Sequence, residues 1–235
     1  MVDRVEVVVD YKPFMQFLKF ANLVGMEIRL HIEDNIMWFR ATDAANVQMV
    51  YADVSCTANG ELVMGFDPSW WLDKLSGLKS DTVSFRVSNG EVILDAGGAK
   101  ISTKLIEPEM VRKDPKEPKL DFPAVYFVDG GEFYRAVALA SKIGDYIEFV
   151  YDRGKVLVKS RNDIEKVEIS LTAGEKISDE VYMTKINPEY LLPVAKIVRK
   201  MDLEIKQGTN IPLEIFAEGN DMAADVITAP IIGED

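Results

Sequence analysis

Residues 66–71 read FDPSWW, and the chain runs on through LDKLSGLKSDTVSF. Asp67 is a good helix N-cap, and Pro68 falls at the first helical position, where its missing N–H costs nothing. The stretch therefore predicts a helix start. The same device returns at residues 186–205, INPEYLLPVAKIVRKMDLEI, with Asn187 for Asp67, Pro188 for Pro68 and Tyr190 for Trp70, 120 residues later. A unit written twice suggests a chain built twice.

The repetition extends beyond this motif. Residues 9–43, VDYKPFMQFLKFANLVGMEIRLHIEDNIMWFRATD, align with residues 128–162, VDGGEFYRAVALASKIGDYIEFVYDRGKVLVKSRN, at an offset of 119. Val9 meets Val128, Asp10 meets Asp129, Phe14 meets Phe133, Gly25 meets Gly144 and Ile28 meets Ile147. Sparse identities kept in order across such a span mark an internal duplication. Each half has one grammar. A capped amphipathic segment comes first, followed by alternating strands such as Glu27–Ile32 and Tyr146–Val150, with turns at Glu33–Asn35 and Asp152–Gly154. The proline-started helix then leads into further strands, Thr82–Val87 and Asp202–Lys206. The fold class is α+β, two equal domains, each with two helices on antiparallel strands. Gly97-Gly98 reads as a tight turn.

Between the halves, residues 105–123 read LIEPEMVRKDPKEPKLDFP, with four prolines, nine charges and no helical or strand period. This composition predicts an extended, solvated linker. The expected organisation is a first domain over 1–107, a connector over 108–122 and a second domain over 123–235.

Composition excludes several classes of function. No apolar run reaches the ~18–20 residues of a membrane span, and MVDRVEVVVD is too charged for a signal peptide. The single cysteine, Cys56, fits a reducing interior, so the cytoplasm is the expected compartment. His31, the only histidine, sits at an alternating strand position and reads as structural. No Cys/His cluster could hold zinc, and no phosphate-cradling glycine motif is present. The carboxylates scatter as a solvated surface would. No catalytic residue, metal site or cofactor is assigned, and no enzymatic activity is expected.

A net charge of −12 argues at first against a nucleic-acid binder. The charge is segregated, however. The four helical windows, 11–24, 68–80, 130–144 and 188–201, hold nine bases (Lys12, Lys19, Lys74, Lys79, Arg135, Lys142, Lys196, Arg199 and Lys200) against three acids (Asp73, Glu132 and Glu189). The helices carry +6, which leaves −18 for the rest of the chain. At ~100° per residue, Lys12, Gln16 and Lys19 share a stripe opposite Phe14, Phe17, Leu18 and Ala21, and Arg135 and Lys142 lie opposite Phe133, Val137 and Ala140. Lys74 falls at the edge of its apolar face, and Lys79 beyond the helix end. One basic helix face is ordinary. Several with the same bias, in so acidic a chain, suggest a surface reserved for a polyanion held by its phosphates. Trp71 reads as core. Trp70 lies off that face, as Tyr190 does, and a sheet or subunit contact explains it better than stacking on a base.

Duplicated α+β domains, basic helices, an acidic remainder and a proline-rich connector together resemble the sliding clamps of the proliferating cell nuclear antigen family, archaeal members most closely. Specific matches are Arg40–Val50 (RATDAANVQMV), Gly131-Glu-Phe with Ile143-Gly-Asp145, the connector, Ile211-Pro-Leu213 and Ala229-Pro230. The resemblance covers essentially the whole chain. It implies two clamp-type domains per subunit and a trimeric ring, with the nine helix bases facing duplex DNA in a central hole.

The resemblance also implies a pocket for short hydrophobic-aromatic peptides of a clamp loader, DNA polymerase, flap nuclease and DNA ligase. Its matching positions are Thr42, Asn46, Val47 and Met49, then Pro118 and Leu120, then Pro212, Ala229, Pro230 and Ile232. Subunits would join through edge strands at Lys100–Ile106 and Lys166–Leu171, involving Ser102, Thr103, Leu105, Glu168, Ile169 and Leu171. The location implied is nucleoid-associated cytoplasm, or the nucleus for a eukaryotic source. Two positions depart from the family pattern: Ile231 stands where Lys or Arg usually follows Ala-Pro, and Pro193 falls inside the last helix. A subunit of a mixed ring, and an acidic scaffold that never encircles DNA, remain as alternative readings.

Overall fold

The computed structural model describes residues 4–174, 180–219 and 221–232. The chain divides by packing into two compact units, Met1–Lys116 with Gly219–Ala224, and Glu117–Glu218 with Asp225–Asp235.

The first unit opens with β1 (Val5–Asp10), which feeds directly into α1 (Tyr11–Ala21). Then come β2 (Ile28–Glu33), β3 (Ile36–Thr42), β4 (Gln48–Ser55), the short β5 (Thr57–Ala58) and β6 (Leu62–Phe66). The helix α2 (Pro68–Leu75) precedes β7 (Thr82–Ser88), β8 (Glu91–Ala96) and β9 (Ala99–Lys104). One sheet has the order β5-β1-β7-β8-β9, and a second run has the order β6-β2-β3-β4. The pairings between β1 and β7, β7 and β8, β8 and β9, β2 and β3, β3 and β4, and β2 and β6 are antiparallel. The turns use residues that tolerate positive φ, such as Asp34-Asn35 and Asn89-Gly90, as tight hairpins with right-handed strand twist require.

The second unit repeats this plan. It contains β10 (Ala124–Asp129), α3 (Gly130–Ala140), β11 (Ile147–Asp152), β12 (Lys155–Arg161), β13 (Lys166–Leu171), β14 (Val181–Ile186), α4 (Pro188–Val198), β15 (Asp202–Gln207), β16 (Leu213–Gly219) and β17 (Met222–Thr228). Its strands run β10-β15-β16-β17 and β13-β12-β11-β14.

In each unit the two helices pack on each other and on the sheets. The strands alternate buried and open positions (in β1, Val5, Val7 and Val9 are buried and Glu6, Val8 and Asp10 exposed), which is the period-2 pattern of a sheet covered on one face. Phe14, Phe17, Phe39, Phe66, Trp71 and Phe85 fill the first core, with Trp71 edge-on to Phe14 at 5.9 Å and to Phe85 at 5.2 Å. The second core is more polar. Tyr126 stacks on Tyr151 and donates its hydroxyl to Gln207 Oε1 at 2.9 Å, while Gln207 Nε2 donates to the Phe149 carbonyl at 2.8 Å. These buried polar groups satisfy one another, which offsets their desolvation.

The proline-started helices form as the sequence predicts. Asp67 Oδ1 accepts from the Ser69 and Trp70 amides at 3.0 and 3.1 Å, and Asn187 Oδ1 accepts from Glu189 N at 2.8 Å. Their lengths differ from the expected windows. α2 stops at Leu75, because Ser76 is extended and Gly77 follows at φ 84°, and the turns after α3 begin at Ser141. Lys79, Lys142, Arg199 and Lys200 thus stand just beyond helix ends rather than on helix faces. α4 continues through Pro193, whose ring is exposed while Leu191, Val194, Ala195 and Val198 are buried. Packing of that apolar face offsets the hydrogen bond that proline cannot donate.

Candidate nucleic-acid and partner surfaces

All nine bases singled out in the sequence are exposed. Burial of the apolar stripes dictates this. Phe14, Phe17, Leu18 and Ala21 of α1, and Phe133, Ala136, Val137 and Ala140 of α3, face their cores, so Lys12, Lys19 and Arg135 are left outside. Lys74 pairs with its neighbour Asp73 at 2.9 Å, in an exposed contact worth little in water. Each unit therefore carries positive charge on and just past its helix pair.

Among the described residues, β9 and β13 each stand at the end of a sheet. Ser102 and Thr103 lie in β9, Leu105 just beyond it, and Glu168, Ile169 and Leu171 in β13. Leu171 is buried within its own unit and, opposite Val156 in the inward phase of the ladder, offers a partner neither its side chain nor a free backbone group. Register determines which donors are free. Leu105 N donates to Gly90 O at 2.8 Å, and Thr103 sits opposite Val92 in the same ladder. Inward and outward donors alternate along an edge strand. Thr103 therefore points its N–H at β8, and Ser102 and Lys104 point outward. In β13, the Asn162 N to Glu165 O bond fixes the phase, so that Glu168 and Ser170 point outward. The sequence identified these stretches but not this parity.

The positions expected to form a peptide pocket lie in both units. In the first unit, Thr42, Val47 and Met49 are half-buried and Asn46 is exposed at φ 55°. Val47 and Met49 are therefore surface residues, not core. The loop that carries them is organised by Asp43, a nearly buried carboxylate that accepts from the amides of Ala45 (3.2 Å), Val47 (2.8 Å) and Gln48 (2.8 Å). In the second unit, Leu120, Pro212, Ala229 and Pro230 are half-buried, and Pro118 and Ile232 are exposed. The Ile231 amide donates to the Lys185 carbonyl at 2.7 Å, which ties this last stretch to β14.

Other groups are chemically quiet or structural. Burial pushes the Cys56 thiol up to about 11, so it stays protonated and a poor nucleophile. Trp70 is half-buried and, with Thr103, Lys104 and Ile106, lines a cleft of about 110 Å³. Among the described residues no group of His, Cys, Asp or Glu is arranged to hold a metal ion, and no helix is long and apolar enough to cross a membrane.

Sequence reasoning missed an ionic cluster in the second unit. Lys206 of β15 bonds Glu214 of β16 and lies 3.6 Å from Glu204. Asp225 of β17 belongs to the same cluster, with its Oδ1 buried and unpartnered. Burial first, then repulsion from Glu214, raises the Asp225 carboxyl to about 7 against the pull of Lys206, with Glu117 and Glu204 adding to the rise. Only the sheet order brings these residues together.

No family model matches the chain. Curated relatives do. The chain is 28% identical over 219 residues to a DNA polymerase sliding clamp of Archaeoglobus fulgidus, covering 88% of this chain and 89% of that one. It is 24% identical over 242 residues to a DNA polymerase sliding clamp of Methanothrix thermoacetophila, covering 97% and 98%. Among solved structures, A. fulgidus PCNA with the C-terminal region of FEN-1 bound superposes with a TM-score of 0.89 at 23% identity, covering 98% of this chain and all of that one. PCNA from Thermococcus kodakaraensis superposes at 0.86, with 19% identity and 97% of this chain covered.

Proposed function

We infer that the chain, which belongs to the archaeal-type DNA sliding clamps of the proliferating cell nuclear antigen family, is a polymerase processivity factor that encircles duplex DNA and docks replication and repair enzymes. The observation that carries this reading is the exposure of all nine bases on and beside the paired helices of both units, in a chain whose remainder is strongly acidic. Such a surface attracts phosphates without reading bases, while the acidic remainder repels DNA elsewhere. Contacts that weak permit sliding, and topology supplies retention. No catalytic step is assigned to any residue.

The ring would form from three copies, with β9 of one pairing its free donors and acceptors with β13 of the next; each edge is otherwise an unpaired template for another strand. Partner enzymes would dock short peptides with aliphatic and aromatic anchors, where a few buried contacts supply most of the affinity. A clamp loader, a polymerase, a flap nuclease and a ligase are the partners this reading expects, within the nucleoid-associated cytoplasm.

The decisive experiment loads the protein onto nicked circular DNA with a clamp loader and compares it with linear DNA of equal length. A clamp stays on the circle through a high-salt wash and leaves the linear molecule by its ends. Equal loss from both would overturn the encircling function.

A further inference from the structure

The connector does not hang free after β9. Gly65 donates its amide to the Ile106 carbonyl at 2.8 Å, and a Cβ at Gly65 would collide with Ile106 Cγ2, so glycine is what admits this crossing. Arg112 then reaches the loop after β3. Its Nη2 donates to Asn46 Oδ1 at 2.7 Å, and its Nη1 to the Asp43 carbonyl at 3.5 Å. Two residues on, Asp114 Oδ2 lies 3.0 Å from His31 Nε2.

His31 is itself fixed. Its ring stacks on Trp38 with centroids 3.9 Å apart and planes 8° from parallel, and Trp38 Nε1 donates to Glu33 Oε1 at 2.7 Å. Beyond Trp38 lies Tyr51, which carries Arg40 over its ring at 5.5 Å. The other Asp114 oxygen is buried with no hydrogen-bond partner among the described residues, so the imidazole is the contact that holds this carboxylate. A carboxylate half out of water, held by one contact, is the signature of an anchor.

We propose that Arg112 and Asp114 are positioning residues for partner docking: they strap the first half of the connector to the first unit, so that peptide binding orders only the part that follows. This rests on the docking reading above, and it adds two residues to those expected to form the pocket. The physical argument is one of entropy. A connector with four prolines and nine charges has no core of its own. Ordering it on binding would cost affinity, and pre-ordering removes that cost. Arg112 acts twice, because the Asn46 amide it holds also accepts from Thr42 Oγ1 at 3.3 Å. The strap and the pocket loop are thus set by one hydrogen-bond network. Lysine cannot replace it, since a single ammonium does not present the guanidinium's fork.

The test uses the full chain with Arg112→Lys, Asp114→Asn, His31→Ala and the His31→Ala/Asp114→Asn pair. Asp114→Asn is isosteric, and thermal melting checks that each variant folds. Hydrogen exchange at residues 109–114 should accelerate in every variant, and the pair should exchange no faster than either single. A peptide with a glutamine, an aliphatic anchor and an aromatic pair should bind roughly 3–10-fold more weakly, with the loss in association rate. Unchanged exchange would overturn the strap. Faster exchange with unchanged peptide affinity would overturn its role in docking while leaving docking intact. Failure of the unaltered protein to bind the peptide would remove the docking reading itself, and the proposal with it.

Discussion

Tyr11 and Gly130 occupy the same position of the duplicated unit, at the start of the first helix, and the two copies solve one problem differently. Tyr11 donates its hydroxyl to the Leu75 carbonyl at 2.7 Å, capping the end of α2. Both backbone amides reach past the second helix, Tyr11 N to Asp81 O and Gly130 N to Met201 O at 2.9 Å each, but a Cβ at Gly130 would collide with the Val198 carbonyl oxygen. A longer α4 brings backbone where α2 leaves room for a ring. Asp225 makes a second point at this scale. Its folded value of about 7 stands above the ordinary 3.8. The folded state therefore binds more protons between those values, and stability falls as pH rises from about 4 to about 7. Asp225→Asn should flatten that slope and stabilise the protein at pH 8 by roughly 4 kcal/mol at most, since each unit by which folding raises a carboxyl's pKa costs ~1.4 kcal/mol on ionisation. Denaturant titrations at pH 5 and pH 8 measure both effects.

Among the elements, the proposed function gives the helices and the edge strands separate tasks. Replacing Lys12, Arg135, Lys142 and Lys196 together with alanine should leave melting unchanged, because all four are exposed. Polymerase stimulation should fall, and its dependence on salt should become shallower, since fewer neutralised phosphates release fewer counterions. A salt titration of stimulation reads this directly. The edge strand gives a sharper test. Ser102→Pro removes an outward donor without touching the ladder to β8 and should shift the protein toward monomer at low micromolar concentration, read by mass against the 26.4 kDa chain. Thr103→Pro breaks an inward bond and should instead lower stability, so the pair of variants separates assembly from folding.

For the whole molecule, the proposed clamp and an acidic scaffold predict different outcomes. A scaffold needs no segregated helix charge, and an inert one needs no peptide site. A mass three times that of one chain supports self-assembly, whereas a monomer favours a mixed ring. Met49→Ala with Leu120→Ala should weaken a micromolar peptide at least tenfold, ~1.4 kcal/mol or more, while the oligomer persists. Both side chains are half-buried and neither fills a core, so the fold should survive. Calorimetry on the intact protein and the double variant measures the difference.

The amino-acid order alone determined the duplication, the four helix starts and the basic bias, because each is local. An Asp-Pro cap, a 3.6-residue period and an alternating strand declare themselves within a dozen residues. Trp71 was legible as core for the same reason, and His31 as structural. What His31 holds was not legible, since Asp114 lies 83 residues away and the connector has no period to betray a contact. Likewise Lys206, Glu214 and Asp225 come from three strands whose adjacency is a property of sheet order. Whether Ser102 or Thr103 faces outward depends on register, which a one-residue slip would reverse. Pairing across the sheet and packing of distant segments are tertiary facts, and only the folded chain could decide them.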